Sequence, residues 1–370
     1  LQRNDNFSTS YSLFATIVTS VIGISVFSYA SDLSAIVGSD AWIIIILNTI
    51  ISFVLIYLMY KIIEMNDFKG FYEILRDNFG RLIGSVVCFV FIVYNIIYIS
   101  AGLRVFIEEI KLYLLEKTPT EFLIIITILT AIYLIRGELD TLIKFNEVTF
   151  WFSFIPVILI LFFALYEIDF TNLLPIFNNS PKNYIKAINK TIIRFKGIEM
   201  VFLVVPFMKK KDKAPKVLLK SMIFIGLFYL YVVVLSIAMF STEQIKSMLW
   251  PGIVMIRSID IPGAFVERWD GIVMAIWVMF FFTTFGNSYY FSADVLKDVF
   301  QIKDIKITTF LIAPIIYVIS LYPQNVTQVY NISRNIQPYL FFITNVIIII
   351  LFILSKIKNK NKNKVKRKKV

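Results

Sequence analysis

Four residues in one apolar stretch carry chemistry out of keeping with their surroundings: Arg194, Lys196, Gly197 and Glu199, just ahead of the cluster Lys209-Lys210-Lys211. Counted back from Met208 at helical rise, Glu199 sits about 13–14 Å in, near the middle of a bilayer. A charge there costs at least about 2.5 kcal/mol unless it meets a cavity or a partner. Two readings are open: a midplane carboxylate that serves a ligand, or a shallower segment in which Glu199 pairs with Lys196 or Arg194. A second stretch, Thr19-Ser20-Val21-Ile22-Gly23-Ile24-Ser25-Val26-Phe27-Ser28, is small and polar through its middle. Its Gly23 serves either close helix packing or a break in the helix. Tyr94, Asn95 and Tyr98, together with Thr283, Thr284 and Asn287, bring rings, amides and hydroxyls to the middle of two further apolar stretches. The threonine pair either supplies hydroxyl oxygens to a hard cation or bonds to its own helix.

The absences narrow the chemistry further. The chain has no histidine and one cysteine, Cys88, so histidine-based acid–base catalysis, zinc fingers and internal disulfides are excluded. No G-x-S-x-G and no P-loop is present. The expectation is a protein that is not an enzyme, with no cofactor and no metal site.

The elements that must position these residues are membrane spans. Of 370 residues, 58% are hydrophobic and only 17% charged, with a mean hydropathy of +0.77. Soluble domains run nearer about 25% charged. A crossing needs about 20 mainly apolar residues, and ten stretches qualify: 11–37, 41–60, 82–103, 121–139, 147–166, 190–208, 216–240, 270–293, 307–322 and 337–357. The first run, from Tyr11, is too long for a cleaved signal sequence. With ten crossings the termini share a side. Twenty-four basic residues fall on that side and ten in the opposite loops, so the positive-inside rule makes both termini cytoplasmic. Phe68, Phe71, Tyr72, Leu75 and Phe79 recur at helical spacing opposite Lys69, Glu73, Arg76 and Asp77, the pattern of a helix lying along the cytoplasmic surface. Residues 241–269 form a long external segment, broken by Trp250-Pro251-Gly252 and Ile261-Pro262-Gly263.

Gly23 stands 19 residues before Trp42, the start of the second span, and Gly197 stands 19 before Lys216, the start of the seventh. Five spans precede the second feature, so the second five run inverted with respect to the first. That is the pattern of an inverted repeat whose first and sixth helices break near the midplane. The expected organisation is an N-terminal segment (1–10), a first five-helix repeat (11–166), a second (167–357) and a basic tail (358–370). Unwound backbone at the breaks would present amides and carbonyls to a small molecule, with Tyr94, Tyr98, Thr283 and Thr284 as its lining.

Gly23-Ile24-Ser25-Val26-Phe27 resembles the broken first helix of amino acid–polyamine–organocation transporters, although Ser25 stands where a second glycine is usual and no proline follows Phe27. Phe195-Lys196-Gly197-Ile198-Glu199 resembles their sixth-helix motif. Within that superfamily the chain is most similar to the endospore germination permeases, the B-type membrane subunits of germinant receptors, through Gly38-Ser39-Asp40-Ala41-Trp42, Asn172-Leu173-Leu174-Pro175 and the run from Gly263 to Asp270. The resemblance implies an all-α fold of the LeuT type with ten transmembrane helices, and a ligand site at Gly23, Ile24, Ser25, Phe195, Gly197 and Glu199. It also implies a spore inner membrane or bacterial cell membrane location, a small germinant of the amino acid or nucleoside type, and two partners, an A-type membrane subunit and a C-type lipoprotein. A proton- or sodium-coupled amino acid transporter is the alternative. The run Lys356 to Lys369 follows a span directly, which fits topology and attraction to anionic lipid and gives no reason to expect nucleic acid.

Overall fold

The computed structural model describes residues 7–23, 26–259 and 269–367, and within these it is helical with no strand; the only β-type contact is an isolated bridge between Ser8 and Met208. Ile24 and Ser25, and the Ile261-Pro262-Gly263 turn, lie outside the described residues. The first span is two helices, α1 (Ser10–Val21) and α2 (Val26–Val37). Thr9 caps α1: its hydroxyl accepts from Ser12 N–H at 3.1 Å and the Ser12 hydroxyl accepts from Thr9 N–H at 2.9 Å, satisfying donors that a helix start leaves free. Next come α3 (Ala41–Met65), the short α4 (Phe71–Phe79), α5 (Arg81–Tyr113), α6 (Thr120–Ile135) and α7 (Leu139–Phe163).

The second half opens with α8 (Pro181–Thr191), which runs through 3-10 turns into α9 (Val201–Val204). Sequence alone starts this span at 190, but the helix begins nine residues earlier. Ser180 caps it, its hydroxyl accepting from Asn183 N–H, and Pro181 takes the first helical position, where a missing N–H costs nothing. Three lysines in α8 hide its character from a hydropathy count. The order then continues with α10 (Ala214–Ser247), α11 (Pro251–Ser258), α12 (Trp269–Phe300), α13 (Ile305–Leu321) and α14 (Val326–Arg367). Among the described residues, five helical stretches are individually long and apolar enough to cross a membrane, and α12 with α13, bent by 118° at their junction, make a sixth if the pair is one span. Ile50, Val54, Phe152, Leu159, Phe310 and Val318 point outward from the bundle, as side chains facing lipid should.

The expected surface helix is present as α4. Phe71, Tyr72, Ile74 and Leu75 are buried, and Gly84 at the start of α5 lets the backbones touch, since a Cβ there would come to 3.0 Å from Arg76. Lys69 donates to Asp77 at 2.6 Å, and this hydrogen bond holds the Asp77 carboxyl below its ordinary value despite partial desolvation.

Two segments singled out in sequence meet on the side opposite the termini, where the Ser39 hydroxyl donates to Pro175 O at 2.5 Å. Asp40, at the turn between α2 and α3, accepts from the N–H groups of Phe177 (2.6 Å) and Asn178 (3.0 Å), the Asn179 amide (2.8 Å) and the Tyr184 hydroxyl (2.8 Å). Trp42 meets the Phe177 ring edge-on at 6.0 Å. The start of the sixth span is thereby pinned to the end of the first.

Candidate functional site

The break in the first span follows from its composition. Ile22 leaves helical geometry, with ψ at 96°, and the carbonyls freed there find side-chain donors. Tyr229 of α10 donates to Val21 O at 3.0 Å and its hydroxyl stands 2.9 Å from Arg194 O, so one residue bridges both breaks. Thr284 of α12 donates to Thr19 O at 3.2 Å.

In the sixth span the helix yields to a 3-10 turn at Ile192–Phe195, Lys196 is extended, and Gly197 has φ of 113°. Only glycine takes that conformation freely. A Cβ on Gly197 would also sit 2.5 Å from Ser20 O, so the two breaks are in direct contact. On Gly23, a Cβ would sit 2.5 Å from the Thr284 hydroxyl oxygen.

Glu199 is 8% exposed and Lys196 1%. They form an ion pair, and the second Glu199 oxygen accepts from Gly197 N–H at 2.9 Å. Lys196 also donates to Asn95 Oδ1 at 2.5 Å and lies 4.9 Å from the ring centres of both Tyr94 and Tyr98. Of the two readings left open for Glu199, the pairing with Lys196 is present, between side chains buried within the bundle. A buried charge pair survives desolvation only when its remaining valences are met. Asn95, the Gly197 amide and two aromatic faces meet them here.

A second polar cluster stands beside it. Asn146 and Asn287 exchange amide hydrogen bonds at 2.8 and 3.2 Å, and Asn287 donates to the Ser20 hydroxyl at 2.8 Å. Thr283 donates to carbonyls of its own helix at 3.1 and 3.2 Å, and Thr284 also reaches Phe280 O at 3.2 Å. Both hydroxyls therefore already bond to carbonyls.

A cavity of about 310 Å³ lies between α2, α5, α8, α12 and α14. Of the residues expected at a site, Gly23, Tyr98 and Thr284 line it. Tyr94 and Glu199 line a separate void of about 20 Å³ with Phe341 and Thr344, and Phe195, Gly197 and Thr283 line neither, Phe195 being packed against Tyr229 at 5.3 Å. The cavity lies on the side away from the termini. On the termini's side the bundle is closed: Ser8 N–H donates to Phe207 O at 3.0 Å and Lys209 N–H to Ser8 O at 2.9 Å, across the start of α1 and the end of the sixth span, and Ser12 donates to Glu147 at 2.5 Å.

Sequence reasoning singled out Arg194 but passed over the other charges at the cavity's outer end. Asp32 is held by Arg194 and, at 3.1 Å, by Arg334. Glu109, Lys186, Lys190 and Tyr330 stand on the same walls. Asp32 was legible as a carboxylate inside an apolar run. Arg334 was hidden because α14 begins at Val326, eleven residues before its hydropathy rises.

Two discontinuous helices crossing at the centre of an all-helical bundle define a multi-pass membrane protein of the LeuT-type fold. A substrate-bound, outward-open Na+-coupled sialic acid symporter shares this fold, with a TM-score of 0.64 over 92% of this chain and 79% of the symporter, at 12% identity. A family described as spore germination protein matches residues 9–329, and the chain belongs to it. Its relatives include spore germination protein YndE of Bacillus subtilis (strain 168), 27% identical over 86% of this chain and 87% of that protein. Spore germination protein GerQB of Bacillus cereus is 26% identical over 85% and 86% respectively.

Proposed function

We propose that this protein is a membrane subunit of a spore germinant receptor that binds a small germinant, of the amino acid or nucleoside type, and signals germination. The observation that carries the reading is the cavity of about 310 Å³ beside both helix breaks, at the lower end of the size range for small-molecule sites. It lies on the side away from the termini, which by the distribution of basic residues are cytoplasmic. Ligand there touches α2 and α8, each joined through a break to the inner half of its span, so occupancy can alter how the halves pack. An A-type subunit and a C-type lipoprotein are the partners through which such a change would leave the protein, and the spore inner membrane is its site of action.

Gly102 supplies the test. It lines the cavity, and a Cβ there meets no atom within 4 Å. Gly102→Trp should fill the cavity without disturbing the helix, and Gly102→Ala should be neutral. Spores carrying the tryptophan variant should contain normal amounts of the protein, keep it associated with its partner subunits and lose the germination response. A normal response would remove the cavity as the ligand site. A lone protein that takes up labelled amino acid in vesicles would favour the coupled transporter instead.

A further inference from the structure

The polar groups at the two breaks are largely engaged with one another. Glu199 occupies Lys196 and the Gly197 amide, Asn95 accepts from Lys196, and the Thr284 hydroxyl bonds to Thr19 O. An uncommitted carboxyl group lies farther out. Glu109 is on α5, eleven residues and so about 16 Å beyond Tyr98, on the face that also brings Tyr98, Gly102 and Val105 to the cavity wall. It is 1% exposed, and neither carboxyl oxygen has a hydrogen-bond partner among the described residues. A native structure seldom leaves such a group without a purpose.

The rings near it already attract cations, with Arg257 4.8 Å over Tyr113 and Arg334 5.6 Å over Tyr330. Tyr113 follows one turn later on α5. Trp250 ties those two rings together, donating to the Tyr330 hydroxyl at 2.8 Å and meeting the Tyr113 ring at 6.3 Å. Aromatic faces attract ammonium groups. Opposite stand cations in excess. Arg194 and Arg334 share the single carboxylate of Asp32, and Lys190 lines the same cavity with no acidic partner among the described residues. Tyr330 joins the two sides, for Arg334 lies 5.6 Å over its ring.

We propose that the outer part of the cavity is a zwitterion subsite in which Glu109 accepts the ammonium group of a small amino acid while Arg194, Arg334 and Lys190 take its carboxylate in place of Asp32. The carboxyl oxygens of Glu109 are covered in this conformation, so engagement turns the side chain into the cavity that it already lines. The proposal rests on the cavity being the germinant site, and narrows its ligand to amino acids over uncharged nucleosides.

The test is calorimetric titration of the purified full-length protein in lipid nanodiscs with each of the twenty L-amino acids and with inosine, then with the deaminated and decarboxylated analogues of the best amino acid. Both analogues should bind the wild type roughly tenfold or more weakly, as expected for losing a bond to a charged group. Glu109→Gln should weaken the amino acid by a similar factor and leave the deaminated analogue unchanged; Glu109→Asp should retain most of the preference. Equal wild-type affinity for the amino acid and its deaminated analogue would overturn the proposal without recourse to any variant. So would unchanged amino acid binding in Glu109→Gln, equal loss of both ligands, or inosine binding where no amino acid binds, although in that last case the cavity would stand as the germinant site. If no compound binds the wild type, the reading of the cavity falls and the subsite with it.

Discussion

Gly197 and Ser20 meet where the two broken spans cross, so closely that a single added carbon on Gly197 would stand 2.5 Å from the Ser20 carbonyl oxygen. The contact couples the inner half of the first span to the turn that carries Lys196 and Glu199. Gly197→Ala must therefore both adopt a left-handed backbone, at about 1–2 kcal/mol, and push Ser20 away. The expected result is a lower melting temperature of the solubilised protein and reduced abundance in the membrane. An unchanged melting temperature would mean that the breaks are not in contact.

Glu199→Gln leaves Lys196 buried without its carboxylate. Removing one member of a buried pair costs about 3–5 kcal/mol, so this variant should be strongly destabilised. Adding Lys196→Met removes the stranded charge, and the double variant should recover much of the loss. Melting temperatures of the four proteins in the cycle measure the coupling, and additive effects would show that the pair does not brace the turn.

Gly23 faces Thr284 as a knob faces a hole. Gly23→Ala places a methyl 2.5 Å from the Thr284 hydroxyl oxygen, and overpacking of this kind costs about 1–3 kcal/mol. Thr284→Ala removes the obstructing oxygen, so Gly23→Ala combined with Thr284→Ala should be more stable than Gly23→Ala alone. Failure of this rescue in a thermal melt would place Gly23 elsewhere.

The Lys69–Asp77 pair holds the loop before α4 against its far end. Because the hydrogen bond from Lys69 depresses the Asp77 carboxyl, its contribution is complete above the ordinary value near 3.8 and is lost as pH falls through the depressed value. The pair is partly exposed, so the effect should be no more than about 1 kcal/mol. Hydrogen exchange of residues 69–79, corrected for intrinsic rates, should show protection falling below that pH in the wild type and not in Asp77→Asn.

Much of this architecture was legible in the residues. Apolar run length dictates spans because backbone groups in lipid must bond within their own helix, and equal spacing of Gly23 and Gly197 from the next span dictated which helices break. The amphipathic face from Phe71 to Phe79 forms α4, while Phe68 lies ahead of the helix with φ of 57°.

Sequence alone could not decide what each polar side chain does, because partners across a bundle are set by packing and not by spacing along the chain. Lys196 reaches Asn95 across 101 positions, and Asn287 reaches Ser20 across 267. The same packing sends Tyr98 into the cavity and Tyr94, one turn earlier, towards a different void. Asp32, Arg334 and Glu109 look unrelated in sequence. They become the outer end of one cavity only when α2, α5 and α14 fold against each other, because a charge in a membrane protein acquires its role from what the tertiary structure places beside it.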